Sequence, residues 1–427
     1  MDSKIKAIKA RQVLDSRGNP TIEAEVHTEK GAFFGLVPSG ASTGSKEALE
    51  LRDMGKAFCG KGVMKAVENV NKKIAQRVVG IDCTLQSEAD KAMIELDGTE
   101  NKERLGANAI LAVSMAVCRA GAAAEEMPLY EYIARISGNK GVVLPVPMMN
   151  VMNGGKHADL EEDIQEQMIV PVGAKTYSEA LQASVETYLA LKKILKKQFG
   201  SVGTLLGDEG GFVQQAKGLE DDFDLINKAI EEAGYSDIMR LAIDSASTEF
   251  FSDGRYRLFG KSYSPGEFVD FYAGLVGTYK SLFSIEDGMA EEDWQGWQML
   301  TKKLGKKIQI VGDDLLVTNP ARIKKAIEEN CCNALLLKLN QIGTITESIE
   351  AAKASKSGKW NTIVSHRSGE TEDSFIADFC VGIDAGQSKF GAPARSDRNA
   401  KYNQLLRIEE ALGKKAVYFG KRALKSQ

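Results

Sequence analysis

From Val142 onward the 427-residue chain repeats one unit, a short apolar run, in most cases followed by an amphipathic helical pattern. The runs are Val143 to Val151, Ile164 to Val172, Leu241 to Ile243, Leu282 to Ile285, Ile308 to Val311, Ala334 to Leu337, Thr362 to Val364, and a weaker one near Gln387 to Lys389. Eight such runs, with six clear β-then-α repeats, predict a closed β/α barrel. The last six each end on a polar residue: Asp244, Glu286, Asp313, Lys338, His366 and Lys389. Strand C-termini of a barrel converge on one mouth, so three carboxylates and three groups able to carry positive charge would meet there. That is the layout of an active site.

The segment before the repeats reads differently. An alternating stretch, Thr21 to His27, a Lys30-Gly31 turn and a second run, Ala32 to Val37, predict an antiparallel hairpin. Helical patterns follow at about Lys46 to Asp53, Val63 to Val79, Ser87 to Leu96 and Ala107 to Ala124, with Gly138 to Gly141 as linker. The expectation is an α/β protein of two units: an N-terminal α+β domain over 1–138 and a catalytic barrel over 142–427.

Composition narrows the partners. With 55 Lys+Arg against 59 Asp+Glu, a net charge of −4 and no basic run, nucleic acid is disfavoured as the main ligand. The N-terminus has no apolar signal core, and the most apolar stretch, Leu105 to Ala124, carries Asn108 and Arg119, so a buried helix is expected rather than a membrane span. Six cysteines without CxxC spacing and three histidines support neither structural zinc nor a disulfide framework, and reduced thiols in a cytoplasm fit best.

Several motifs carry chemistry. Asp244, Glu286 and Asp313 offer hard oxygen ligands. One Asp at a strand end usually caps the next helix, but three on neighbouring strands need a cation, and the donor set favours Mg²⁺. Lys338 ends a fully apolar strand, where desolvation and a nearby metal would lower its pKa and make it a base. In SHRSGETED, Arg367 and Ser368 lie before a helix and form an anion site suited to phosphate. GDEGGF holds Glu209 between glycines, where it can reach a cleft, and PSGASTG offers Ser42 on a loop able to close over a ligand. Gly254 to Ser262 only imitates a P-loop, because five residues separate its glycines where four are required; Asp253-Gly254 reads as a β-turn before a short strand.

Together LDSRGNPT, PSGASTG, LDGTENK, LGANAILAVS, GDEGGF, SIEDG, VGDDL, LLLKLNQIG, SHRSGETED and AKYNQLLRIEE resemble the enolase family over essentially the whole chain. The resemblance implies a barrel of ββαα(βα)6 type with an antiparallel second strand. It also implies a glycolytic lyase that reversibly dehydrates 2-phospho-D-glycerate to phosphoenolpyruvate with two Mg²⁺ per site, in a cytoplasmic homodimer or octamer that can also reach the cell surface. Carried over by matching motif, Asp244, Glu286 and Asp313 hold the first Mg²⁺, and Ser42 helps hold the second. Lys338 is then the base and Glu209, assisted by Glu166, the acid. Arg367 and Ser368 take the phosphate and Lys389 the carboxylate, while His157, His366 and Gln165 line the closing site.

The chain departs from the family pattern at Asp159-Leu160, at Gln167 in place of a usual aromatic, and at Val213-Gln214 after GDEGGF. These changes bear on loop packing more than on the reaction. A racemase or cycloisomerase of the same superfamily would leave Arg367, Ser368 and Ser42 without a phosphate to serve. A surface plasminogen-binding or structural secondary role is the other alternative, although the C-terminal lysine expected for that binding is replaced by Lys425-Ser426-Gln427.

Overall fold

The computed structural model describes residues 3–41, 43–158, 162–213, 215 and 218–424, without the side chains at 157 and 158. Its N-terminal part is a three-stranded antiparallel sheet, β1 (Ala7–Leu14), β2 (Pro20–Thr28) and β3 (Gly31–Leu36), in that order. The expected hairpin is β2–β3, with Glu23 opposite Leu36 and Thr28 opposite Gly31. Strand β1 pairs along β2 over its whole length, from Ala7 opposite His27 to Leu14 opposite Pro20. Helix α1 (Ala107–Ala124) packs on this sheet with most of its residues buried, so the most apolar stretch of the chain is core.

The helical pattern at Lys46 to Asp53 is not a helix. Its backbone is spent on other segments: Ala48 N–H donates to Gln341 O, Leu49 N–H to Asn101 O, and Asp53 N–H to Gly62 O, each at 2.8 Å. Those bonds replace the ladder a helix would need.

The barrel strands are β4 (Val146–Pro147), β5 (Met149–Asn153), β6 (Glu166–Val170), β7 (Arg240–Asp244), β8 (Leu282–Glu286), β9 (Gln309–Gly312), β10 (Ala334–Leu337), β11 (Asn361–Ser365) and β12 (Gly386–Lys389). The sheet runs β4, β12, β11, β10, β9, β8, β7, β6, β5, and a two-residue strand, Phe212–Val213, adds parallel to β5 beyond it. Strands β4 and β5 are one chain segment joined by Met148, whose N–H donates to Ser388 O at 2.7 Å. The sheet therefore closes, with β4–β5 as a single bent staple. β6 pairs antiparallel on both sides, while β7 to β12 are parallel. Two helices, α2 (Tyr177–Phe199) and α3 (Leu219–Glu232), follow β6. This is the ββαα(βα)6 order, because an antiparallel second strand needs no crossover before it.

Alternation along each strand decides what reaches the mouth. Ala242, Val311, Leu336 and Ile363 fill the interior with Met168 and Val170. Two residues further along three of these strands stand Asp244, Asp313 and Lys338, which the period of two aims the same way. Below the mouth, Gln387 and Gln309 bond to one another, with Gln387 Nε2 to Gln309 Oε1 at 2.9 Å, and form a polar floor.

One ion pair joins helix α1 to the barrel. Arg119 Nη1 donates to Asp373 Oδ2 at 2.8 Å, and the guanidinium lies over the Phe375 ring. Burial alone would raise the Asp373 carboxyl, but Arg119 and the N–H groups of Phe375 and Leu36 outweigh it and hold it below the ordinary range. A depressed carboxyl stabilises the fold fully above the unfolded value of about 3.9, and that contribution is lost as pH falls through the folded value. Asp373→Asn leaves Arg119 without its counter-charge and should cost about 3 kcal/mol in urea unfolding at neutral pH. The difference from the parent chain should shrink on acidification.

Candidate active site

Lys389, at the end of β12, organises the centre of the mouth. Its ammonium lies 2.8 Å from Glu286 Oε1, 2.9 Å from Asp244 Oδ2 and 3.1 Å from Glu166 Oε2, and all four side chains are buried. Burial and the neighbouring Asp244 charge hold Glu286 well above the usual carboxylate range. Glu166 is likewise raised, by burial and by Glu209. For Asp244, burial pushes upward but Lys389 wins, and its carboxyl lies below the ordinary value.

On the adjoining side of the mouth, Asp313 Oδ2 accepts from Lys338 Nζ at 2.5 Å and its Oδ1 from Gln341 Nε2 at 2.8 Å. The sequence led us to expect a lowered Lys338. Burial does act in that direction, but Asp313 overrides it and the ammonium is pushed up to about 12. Asp287, at φ +42°, accepts the backbone N–H of Asp313 at 2.8 Å and of Asp314 at 3.0 Å. Its carboxylate thus fixes the turn that presents Asp313.

A hard divalent cation fits this donor set. Asp244, Glu286 and Asp313 offer only carboxylate oxygens in a buried site, and Glu286 Oε2 has no hydrogen-bond partner. Asp287, Asp313 and Asp314 also bring one oxygen each within 4.8 Å of one another. Both oxygens of Asp287 are already engaged by the turn, so it reads as support for the site.

The third region gathers the anion-binding residues. Arg367 is held by Glu47, with Nη1 at 2.9 Å from Oε2 and Nη2 at 3.1 Å from Oε1, and Nη1 also donates to Asn340 Oδ1 at 2.9 Å. Gly40 lets the loop approach closely, since a Cβ on it would come within 2.0 Å of Arg367 Nη2 and push the guanidinium from its place. The root of the Pro38 to Gly44 loop is pinned to the same turn, because Ser39 and Gly369 exchange backbone hydrogen bonds at 2.7 and 2.9 Å. Ser368 Oγ accepts from Arg17 Nη1 at 3.4 Å. Glu209 Oε2 accepts from Asn150 Nδ2 at 3.1 Å and lies 3.3 Å from His366 Nε2. Gln165 Nε2 reaches Asp244 Oδ2 at 3.4 Å.

One cleft is lined by Glu166, Glu209, Asp244, Asp313, Lys338 and Lys389 together with Gln165, His366, Arg367 and Ser368, while Glu286 lies just beneath it. Ser42, Asp159, Leu160, Gln214 and the side chain of His157 fall outside the described residues. Gln167 is buried beside the site, and its Oε1 has no hydrogen-bond partner. The sequence reading missed Glu47, Asn150, Asp287, Asn340, Gln341 and Arg398. The doublets Asp313-Asp314 and Glu286-Asp287 were the only signal for any of them.

Known proteins match the chain along nearly its whole length. Residues 5–133 match the family model "Enolase, N-terminal domain", and residues 141–427 match "Enolase, C-terminal TIM barrel domain". The chain is 56% identical to the enolase of Thermococcus gammatolerans over 98% of its own length and 97% of the relative's. It is 54% identical to the Pyrococcus furiosus enolase with the same coverage, and 53% identical to that of Solanum lycopersicum over 97% of each chain. The family brings metal-dependent activity on a small-molecule substrate. Matched by both domain models and by relatives along nearly its whole length, the chain belongs to the enolase family, the phosphopyruvate hydratases of glycolysis.

Proposed function

We propose that the chain reversibly dehydrates 2-phospho-D-glycerate to phosphoenolpyruvate, with Lys338 and Glu209 working from opposite sides of the substrate. The observation that carries this reading is the ring order: β10, which ends at Lys338, stands four strands from β6, which begins at Glu166 beside Glu209. In an eight-stranded ring that is the diametrically opposite position. Lys338 Nζ removes the C2 proton, the C–H electron pair becomes the C2–C3 double bond, and the C3 hydroxyl leaves as water with a proton from Glu209, which Glu166 assists. Proton and hydroxyl therefore depart from opposite faces.

Arg367 and Ser368 take the phosphate and Lys389 faces the carboxylate, with Gln165, His157 and His366 lining the closed site. Asp244, Glu286 and Asp313 would hold the first Mg²⁺ and Ser42 would help with the second. Mg²⁺ held there would supply positive charge for the carboxylate as C2 loses its proton and would offset the Asp313 charge, so that burial could lower the Lys338 ammonium. Lys338 needs that release, because a base must reach its neutral form.

The unit 1–138 serves as a lid on the catalytic unit 142–427, in a cytoplasmic homodimer or octamer. Five of the six cysteines are buried free thiols, which suits a reducing compartment. Adding 2-phosphoglycerate should raise the ultraviolet absorbance of the enol phosphate only when Mg²⁺ is present. Activity that survives exhaustive chelation, or turnover of a phosphate-free acid in preference, would overturn the reading.

A further inference from the structure

Arg398 lies on helix α4 (Ser396–Leu412), with no exposed surface, beneath the anion-binding turn. Four of its five N–H groups, those on Nη1 and Nη2, have acceptors. Nη1 lies 2.5 Å from His366 Nδ1 and donates to Arg367 O at 2.6 Å. Nη2 donates to Ser368 O at 2.5 Å and to Asp208 O at 3.1 Å, and Nε sits 2.9 Å from Asp397 Oδ2. The junction is closely packed: Gly391, at φ +86°, has Glu209 O, Arg398 Cδ and His366 Cε1 within 2.8 to 3.1 Å of where a Cβ would stand.

A guanidinium has donors and no acceptor. His366 Nδ1 must therefore present its lone pair to Arg398, and the ring proton must sit on Nε2. We infer that Arg398 is a positioning residue that fixes His366 in the Nε2–H tautomer, so that the protonated ring nitrogen is the one facing Glu209 Oε2 at 3.3 Å, a contact that must still turn into line to become a hydrogen bond. His366 then cannot take the proton of Glu209 at that nitrogen; it orients the carboxyl and stabilises the carboxylate left after proton transfer. Burial, aided by Arg398, also keeps the ring neutral, with its pKa lowered to about 3. The catalytic consequence rests on the proposed role of Glu209, whereas the tautomer does not.

The test uses the full-length protein with ¹⁵N-labelled histidine, the His366 signals being assigned by their loss in His366→Asn. The expected ring has a protonated Nε2 and an unprotonated Nδ1 at neutral pH. A proton on Nδ1, an averaged tautomer or a doubly protonated ring overturns the inference, and this measurement needs no substitution at Arg398.

In Arg398→Met, which removes every donor facing Nδ1, the ring should become tautomer-averaged. Arg398→Lys, still a donor without an acceptor, should keep the Nε2–H tautomer wherever its ammonium reaches Nδ1, and is read only as that rescue. Dehydration kcat of Arg398→Met should then fall about tenfold or more, part of the 10² to 10⁴ a general acid contributes, while C2 hydrogen exchange with solvent persists. An unchanged Nε2–H tautomer in folded Arg398→Met overturns the inference. A changed tautomer with exchange and dehydration lost in step upholds it and instead overturns the role given to Glu209.

Discussion

Asp313→Asn is expected to abolish most activity while the protein stays folded. Loss of a partner that merely orients a metal ligand typically costs 10- to 100-fold, so loss of a ligand charge itself should cost about 10²-fold or more. The fold should survive because the substitution acts in two opposing ways. It removes the 2.5 Å ion pair with Lys338, and it also removes one of three carboxylates crowded with Asp287 and Asp314. An Asn oxygen can still accept from Gln341 Nε2 at the present 2.8 Å position. Circular dichroism should match the parent chain, and calorimetric titration with Mg²⁺ should show weakened binding in the absence of substrate. Undiminished Mg²⁺ affinity in the variant would remove Asp313 from the ligand set.

The contrast between what was legible and what was not has a physical cause. Asp244, Glu286, Asp313, Lys338 and Lys389 could be placed from sequence because each ends an apolar run and the barrel collects strand ends at one mouth. Glu166 begins an antiparallel strand, so the same rule passes over it, and only the family resemblance pointed to it. Strand β1 escaped notice because its burial alternates weakly, with Ile8 its one fully buried residue and Leu14 exposed. The stretch at Lys46 to Asp53 has helical spacing, but tertiary hydrogen bonds overrode propensity, as they readily do for a segment this short.

The expectation for Lys338 combined burial with a bound metal, and the structure adds a third influence, the ion pair with Asp313. Burial could be foreseen, but the 2.5 Å approach of Asp313 from a neighbouring strand could not. Arg398 is the extreme case, because nothing in RSDRNAKYNQLL tells which of its cations turns inward until the helix is seated under Arg367 and Ser368.

The largest effect is expected at Lys338, and it separates the two halves of the reaction. If Lys338 is the base, Lys338→Ala should eliminate both product formation and exchange of the C2 hydrogen with solvent deuterium, since no later step can begin before that proton leaves. Glu209 is held by Asn150 at 3.1 Å and faced by His366, and its proposed task comes later. Glu209→Gln should therefore lose dehydration while keeping measurable exchange, because the carbanion can form and be reprotonated. General acid or base groups contribute about 10² to 10⁴ each, so both losses are large enough to read in a deuterium-exchange assay run beside the absorbance assay. The substitutions also differ in their effect on charge. Lys338→Ala leaves Asp313 without its counter-ion, and the variant should therefore need Mg²⁺ more for stability than the parent chain does, which thermal unfolding with and without the metal can measure. Exchange that survives in Lys338→Ala, or that disappears with product in Glu209→Gln, would show the two roles to be wrongly assigned even with every motif of the family in place.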